Sequence, residues 1–255
     1  MSIFDAAILG LIEGITEFLP ISSTGHLILA SKLLDIPQTE FLKTFEIAIQ
    51  LGAIFSVVVL YWRSFLDIEI IKRLIVAFIP TGVIGFLLYG VVKSVFLGSE
   101  FVVLFALFFG GVALVLFELF HKEPEDAPES LVKISYVQSA LIGVFQSLAI
   151  IPGVSRSAAT IVGGLLLGIR RITIVEFSFL LAVPTMLAAT GYDVLQSASL
   201  FSSDQILTLT IGFVTSFAVA IFAIWFLLAY IRGHSFTSFG IYRIAISVLF
   251  FLLVL

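Results

Sequence analysis

Apolar positions divide the chain into ten hydrophobic segments, at 3–19, 22–34, 44–62, 74–92, 101–120, 136–151, 154–168, 173–195, 205–231 and 238–255. Their apolar runs are continuous rather than alternating, so they predict helices and exclude the short dyad-patterned strands of an outer-membrane barrel. Segments 22–34 and 154–168 fall below the roughly 20 residues that a membrane-crossing helix needs. Pro20 parts the first of them from its predecessor, and Pro152-Gly153 parts the second. Each broken pair is read as a re-entrant helical hairpin that enters the bilayer and returns. Interrupted backbone at that depth has to be satisfied by protein or by a polar cavity.

The same five-part order occurs twice. LGLIEGITEFLPISSTGHLI at 9–28 aligns with IGVFQSLAIIPGVSRSAATI at 142–161, and AFIPTGVIG at 77–85 with GFVTSFAVA at 212–220, an offset of 133–135 residues. Each half then holds one re-entrant hairpin and three spanning helices, an odd number of crossings, so the halves must be inverted relative to each other. The fold class predicted is an all-α integral membrane protein of ten helical segments in two inverted-topology repeats. It forms a single polytopic membrane domain: repeat 1 over about 1–120, a polar cytoplasmic linker over about 121–135, and repeat 2 over about 136–255.

Composition supports the membrane reading: 60% hydrophobic residues, 12% charged residues and a mean hydropathy of +1.22 are far from a soluble domain. Loop charge orients the chain. With the amino terminus outside, the cytoplasmic connections hold Arg63, Lys72, Arg73, Lys122, Lys133, Arg170, Arg171 and Arg232, against Lys32, Lys43 and Lys93 outside. The first segment has no basic region before it and carries Glu13 and Glu17, which argues against a cleaved signal peptide. A net charge of −4 spread over loops gives no nucleic-acid patch, and the absence of cysteine removes thiolate chemistry.

Against this background the ionisable residues stand out, because a charge at membrane depth costs roughly 2.5–3.5 kcal/mol on insertion scales and is usually kept for chemistry or transport. Glu13 and Glu17 lie one helical turn apart. Ser22, Ser23 and Thr24 follow the first break as caps of the next half-helix, and Ser155, Arg156 and Ser157 follow the second. Two such helix amino termini plus a guanidinium suit a diphosphate. One of Ser22, Ser23 or Thr24 is a candidate nucleophile, with His26 as base or acid; the bland alternative is that the hydroxyls only cap and the histidine only bridges helices. Glu13 and Glu17 are candidates for holding a divalent cation, or one of them for a buried base. Glu46, Gln50 and Arg243 are further candidates for lining the cavity, and Glu176 for an interfacial ion pair with Arg170 or Arg171.

At these residues the chain resembles the undecaprenyl-diphosphate phosphatase, or bacitracin-resistance, family. The likeness rests on EGITEFLPISSTGH at 13–26, TFEIAIQLGAI at 44–54, PGVSRSAATI at 152–161, EFSFLLAVP at 176–184 and IYR at 241–243, and spans nearly the whole chain. The resemblance implies hydrolysis of undecaprenyl diphosphate to undecaprenyl phosphate and inorganic phosphate. It places the enzyme in the bacterial inner membrane with its site open to the outer face, recycling the lipid carrier of peptidoglycan synthesis. It implies Ser23 as nucleophile, His26 as its partner, Glu13 and Glu17 as the acidic pair, and Arg156 as diphosphate clamp amid Ser22, Thr24, Ser155 and Ser157. A magnesium or calcium requirement is implied too. The partners expected are the polyprenyl diphosphate, membrane lipids, bacitracin through the substrate alone, and a second copy of the chain as a homodimer. Family members commonly carry glycine where this chain has Ala158. The competing reading is a polyprenyl-phosphate transporter built on the same inverted repeat.

Overall fold

The computed structural model describes residues 1–91, 100–197 and 203–254, so Lys93 lies outside the described residues. Among them are ten α-helices: α1 (Ile3–Thr16), α2 (Ser23–Leu33), α3 (Glu40–Leu60), α4 (Ile68–Val91), α5 (Glu100–Phe120), α6 (Tyr136–Gln146), α7 (Arg156–Leu166), α8 (Arg171–Ser197), α9 (Ser203–Tyr230) and α10 (Thr237–Val254). Five stretches are long and apolar enough to cross a membrane: Glu40–Leu60, Ile68–Leu88, Glu100–Phe120, Arg171–Ala189 and Gln205–Tyr230. The sequence predicts six; the last, the apolar stretch Thr237–Leu252 of α10, is shorter than the other five. Both predicted breaks are present, at residues 17–22 between α1 and α2 and at 147–155 between α6 and α7.

Polarity is distributed as in a membrane protein. Phe86 and Phe120 are 83% exposed, while Arg243 and Glu13 are fully buried. Apolar surface faces outward and polar groups gather inside, the reverse of a soluble domain.

Backbone features recur 133 residues apart. Ser2 and Ser135 open α1 and α6 with capping boxes, to Asp5 and Gln138. Ser22 and Ser155 cap α2 and α7 at φ values of 73° and 76°. Asp35 and Gly168, at φ 51° and 76°, end the same two helices. Helix pairing shows the same exchange: α1 lies on α9 and α6 on α4, α3 on α9 and α8 on α4, while α3 meets α8 and α5 meets α10. Close backbone approach makes two of these contacts. A Cβ on Gly10 would sit 2.6 Å from the Gly212 carbonyl oxygen, and one on Gly143 only 1.9 Å from that of Ala77. Without a hydrophobic drive between helices in lipid, such small-residue contacts carry the packing.

One end of the bundle is fastened by charge. Arg73 Nε donates to the Ile134 carbonyl (2.6 Å), and the Tyr136 hydroxyl to Glu69 (3.1 Å). Arg171 forms a two-pronged pair with Glu118, which also accepts from the Phe236 N–H (3.0 Å). Glu123 accepts from the Arg171 N–H (2.8 Å), and Arg170 pairs with Glu129 (2.7 Å). The predicted partnership of these arginines with Glu176 is thus replaced by acids from the end of α5 and the linker. These contacts dock the linker, residues 121–135, against the bundle, with Ala127 buried. At the opposite end Lys32 pairs with Glu100.

Gly143→Ala should force α6 off α4 and destabilise the protein by about 1–3 kcal/mol, as overpacking does. Gly233→Ala, with nothing within 4 Å of its new Cβ, serves as control. Thermal unfolding in detergent checks this; equal melting temperatures for the two variants would refute the contact.

Candidate active site

The two breaks meet around a cavity of about 260 Å³. Its wall takes Glu17 from the end of α1, Ser22, Ser23 and Thr24 from the start of α2, Gln50 from α3, and Thr81 from α4. The other half supplies Gln146, residues 149–153, Ser155, Arg156, Thr185, Met186 and Ala189. Each break ends one helix and opens the next through a serine cap. Ser22 Oγ accepts from the Gly25 N–H (3.4 Å) and Ser155 Oγ from the Ala158 N–H (3.2 Å). The first-turn amides ahead of these bonds, at residues 23 and 24 and at 156 and 157, have no partner within an α-helix. Serine at positive φ is a strained cap, and both breaks adopt it. The methyl of Ala158 is buried without loss of the cap bond.

One carboxylate joins the two halves. Ser23 Oγ donates to Glu17 Oε2 at 2.5 Å, and Arg156 Nη2 donates to Glu17 Oε1 at 2.6 Å. Glu17 therefore orients a hydroxyl from the first break and a guanidinium from the second. The pair is well shielded, with side-chain exposures of 11% for Arg156 and 5% for Glu17.

Arg243 holds the breaks in place. Nε donates to the Leu107 carbonyl (3.3 Å), Nη1 to those of Pro20 (3.3 Å) and Val154 (3.0 Å), and Nη2 to those of Ala106 and Gly153 (3.0 Å each). All five guanidinium N–H groups are thus spent on backbone, three of them on the two breaks. Gly110 makes the room: a Cβ there would lie 2.2 Å from Nη2. Arg243 therefore does not line the cavity, as the sequence suggested, but supports it from behind.

The remaining sequence candidates separate in the same way. Gln50 lines the cavity; Glu46 is half-buried on α3 and does not. Ser157 Oγ donates to the Phe18 carbonyl (2.8 Å), tying α7 to the first break rather than lining the cavity. His26 is not the hydrogen-bond partner of Ser23. Its Nδ1 lies 2.8 Å from the Ser22 carbonyl and its Nε2 2.9 Å from the Tyr242 hydroxyl, with the two rings stacked. A carbonyl only accepts, so Nδ1 carries a proton, and in the neutral ring Nε2 accepts from Tyr242. Sequence reading missed Tyr242, although IYR was among the matched motifs, and missed Thr81, Gln146 and Thr185. A pattern read for charge passes over neutral polar residues inside apolar helices.

Unpartnered polar atoms concentrate here. Of the buried side-chain N and O atoms without a hydrogen bond among the described residues, Glu13 contributes both carboxylate oxygens, Gln146 its Oε1 and Arg156 its Nη1. Gln146 and Arg156 line the cavity, Glu13 lies one turn of α1 before Glu17 and outside its wall, and the other two atoms are Ser31 Oγ and His121 Nε2. Leaving such groups unpaired costs about 1–3 kcal/mol each, which marks a place prepared for something else.

The family model described as bacitracin resistance protein BacA matches residues 6–249. The chain belongs to the BacA family. Among its BacA-family relatives, a protein of Sulfurihydrogenibium named undecaprenyl-diphosphatase is 55% identical over 252 residues, covering 99% of each chain. Proteins of the same name from Persephonella marina and Aquifex aeolicus are 51% and 48% identical, over 100% and 98% of each chain. The Ser23–Glu17–Arg156 arrangement thus lies within a BacA-family chain that aligns with these relatives over nearly its whole length.

Replacing Arg243 by lysine leaves three donors for five carbonyls and should cost about 3–5 kcal/mol, as breaking a buried charged network does. The melting temperature in detergent should fall, and the cavity should lose its shape. An Arg243→Lys variant as stable as the parent would overturn the bracing role.

Proposed function

We propose that this chain is an undecaprenyl-diphosphate phosphatase, releasing inorganic phosphate and undecaprenyl phosphate. The observation that carries the reading is the bond from the Ser23 hydroxyl to Glu17, itself held by Arg156, in a cavity wall built by both breaks of a BacA-family chain. The lipid carrier so regenerated is reused for peptidoglycan. Bacitracin acts on the diphosphate form, so removing that form gives resistance.

The chemistry follows from the hydrogen bonds. Ser23 Oγ attacks the terminal phosphorus while its proton passes to Glu17 Oε2. The bond from that phosphorus to the bridging oxygen breaks, and its electron pair leaves with undecaprenyl phosphate. Water then displaces Ser23 from the phosphoryl group, the serine recovering its proton from Glu17. Arg156 steadies Glu17 through Nη2 and offers its unpartnered Nη1 to the phosphate, and the amides opening α2 and α7 supply further donors. His26 serves as a tie between α2 and α10.

A divalent cation, magnesium or calcium, suits the acidic pair. Both oxygens of Glu13 are unpartnered, whereas those of Glu17 are engaged, and no set of three His, Asp or Glu residues gathers among the described residues. That supply fits an ion held by one or two carboxylates and completed by phosphate oxygens. When bound, such an ion neutralises phosphate charge.

Two inverted repeats with re-entrant hairpins are supported by the short broken helices, by the features recurring at 133 residues, and by the exchanged helix pairs. Orientation in the inner membrane is supported by charge. The arginine-rich end holds the connection between α5 and α6, and the cavity reaches Ala189, about 27 Å along α8 from Arg171 at about 1.5 Å per residue. With the cationic end in the cytoplasm, the cavity opens toward the outer face.

Ser23→Ala and Glu17→Gln should each lower phosphate release from undecaprenyl diphosphate by about a hundredfold or more, with the fold retained. Phosphate release by purified protein checks this. Full turnover by both variants would remove the assignment.

A further inference from the structure

Gln146 closes α6 just before the chain tightens into the turn at Ser147–Ile150, and its side chain is 2% exposed. Its amide nitrogen lies 3.0 Å from Thr81 Oγ1 and 3.0 Å from Thr185 Oγ1. Neither hydroxyl has a proton to return. Thr81 donates to the Gly143 carbonyl (2.7 Å), and Thr185 to the Leu181 carbonyl (2.7 Å). Each threonine must therefore accept, which fixes the amide with its nitrogen toward them and uses both of its N–H groups. Both threonines follow a proline inside their helices, Pro80 and Pro184. What remains is Oε1: an acceptor that cannot turn away, unpartnered among the described residues, on a residue of the cavity wall.

Such an oxygen discriminates. An ionised phosphate oxygen has no proton to give and is repelled, whereas an O–H group is accepted. At the matching position of the other half, 133 residues earlier, stands Glu13. A carboxylate in place of Gln146 would add negative charge to the cavity wall; an amide supplies an acceptor without it.

Building on the diphosphatase reading, we propose that Gln146 is the acceptor for an O–H group in the reaction cavity, held for that task by Thr81 and Thr185. The O–H belongs either to the hydrolytic water or to the protonated terminal phosphate. Both present the same chemistry to Oε1, and kinetics separate them.

The test measures kcat and KM for phosphate release from undecaprenyl diphosphate across the pH range where a terminal phosphate titrates, together with melting temperatures. It uses the parent protein, Gln146→Met, the isosteric double variant Thr81→Val/Thr185→Val, and the hydroxyl-preserving Thr81→Ser/Thr185→Ser. Loss of the acceptor should cost about tenfold, the scale of one hydrogen bond. A fall in kcat at every pH with KM unchanged identifies water. A rise in KM confined to the acid side identifies the protonated phosphate. In either case the valine pair should follow Gln146→Met, because the amide is then free to turn, and the serine pair should recover most of the loss. Unchanged constants in Gln146→Met, or valine and serine pairs that behave alike, would overturn the proposal while leaving the diphosphatase reading intact. A parent protein that releases no phosphate would overturn both.

Discussion

Backbone exposed by a broken helix cannot turn to water when the break lies inside a membrane protein, so something within the protein has to satisfy it. Here Arg243 does so. Its guanidinium donates to five carbonyls, three of them in the two breaks and two on α5, and it pairs with no carboxylate among the described residues. Five donors in a rigid planar fork suit five converging carbonyls, which a lysine with three mobile donors could not match. Gly110 gives the fork its space. Both breaks are therefore referred to one rigid group on α10, and their separation is fixed.

The geometry of the candidate site depends on that fixed separation. Ser23 and Arg156 come from different halves of the chain and meet only through the two oxygens of Glu17. The strained caps at Ser22 and Ser155 and the unpartnered atoms of Glu13, Gln146 and Arg156 are costs that the rest of the fold sustains. Their concentration at and beside one cavity is the physical signature of a site organised before its ligand arrives. The neutral clamp on Gln146 and the charged bridge through Glu17 then give the cavity two walls of different character.

Much of this was legible in the sequence. Continuous apolar runs located the ten helices, Pro20 and Pro152-Gly153 located the breaks, and the spacing of the weak internal matches returns in the capping boxes and positive-φ residues. Ser23, Glu17 and Arg156 stood out because charge and hydroxyls are conspicuous in apolar surroundings. Partnerships were less legible. Arg243 had no acid near it in sequence because its partners are carbonyls, which carry no side-chain signal. His26 turned to Tyr242, more than two hundred residues away, and not to its near neighbour Ser23. Arg171 found Glu118 across the bundle rather than Glu176 one turn on. Sequence proximity ranks candidates, and three-dimensional packing chooses among them.

The central claim is that a single diphosphate head group is gripped by both breaks at once. A structure of the protein bound to a non-hydrolysable methylene-bridged analogue of the lipid diphosphate tests it most directly. Phosphate oxygens within hydrogen-bonding distance of Ser23 and Arg156 together, with the opening turns of α2 and α7 directed at them, is the result expected. A head group held by one break alone, or lodged outside this cavity, would contradict it.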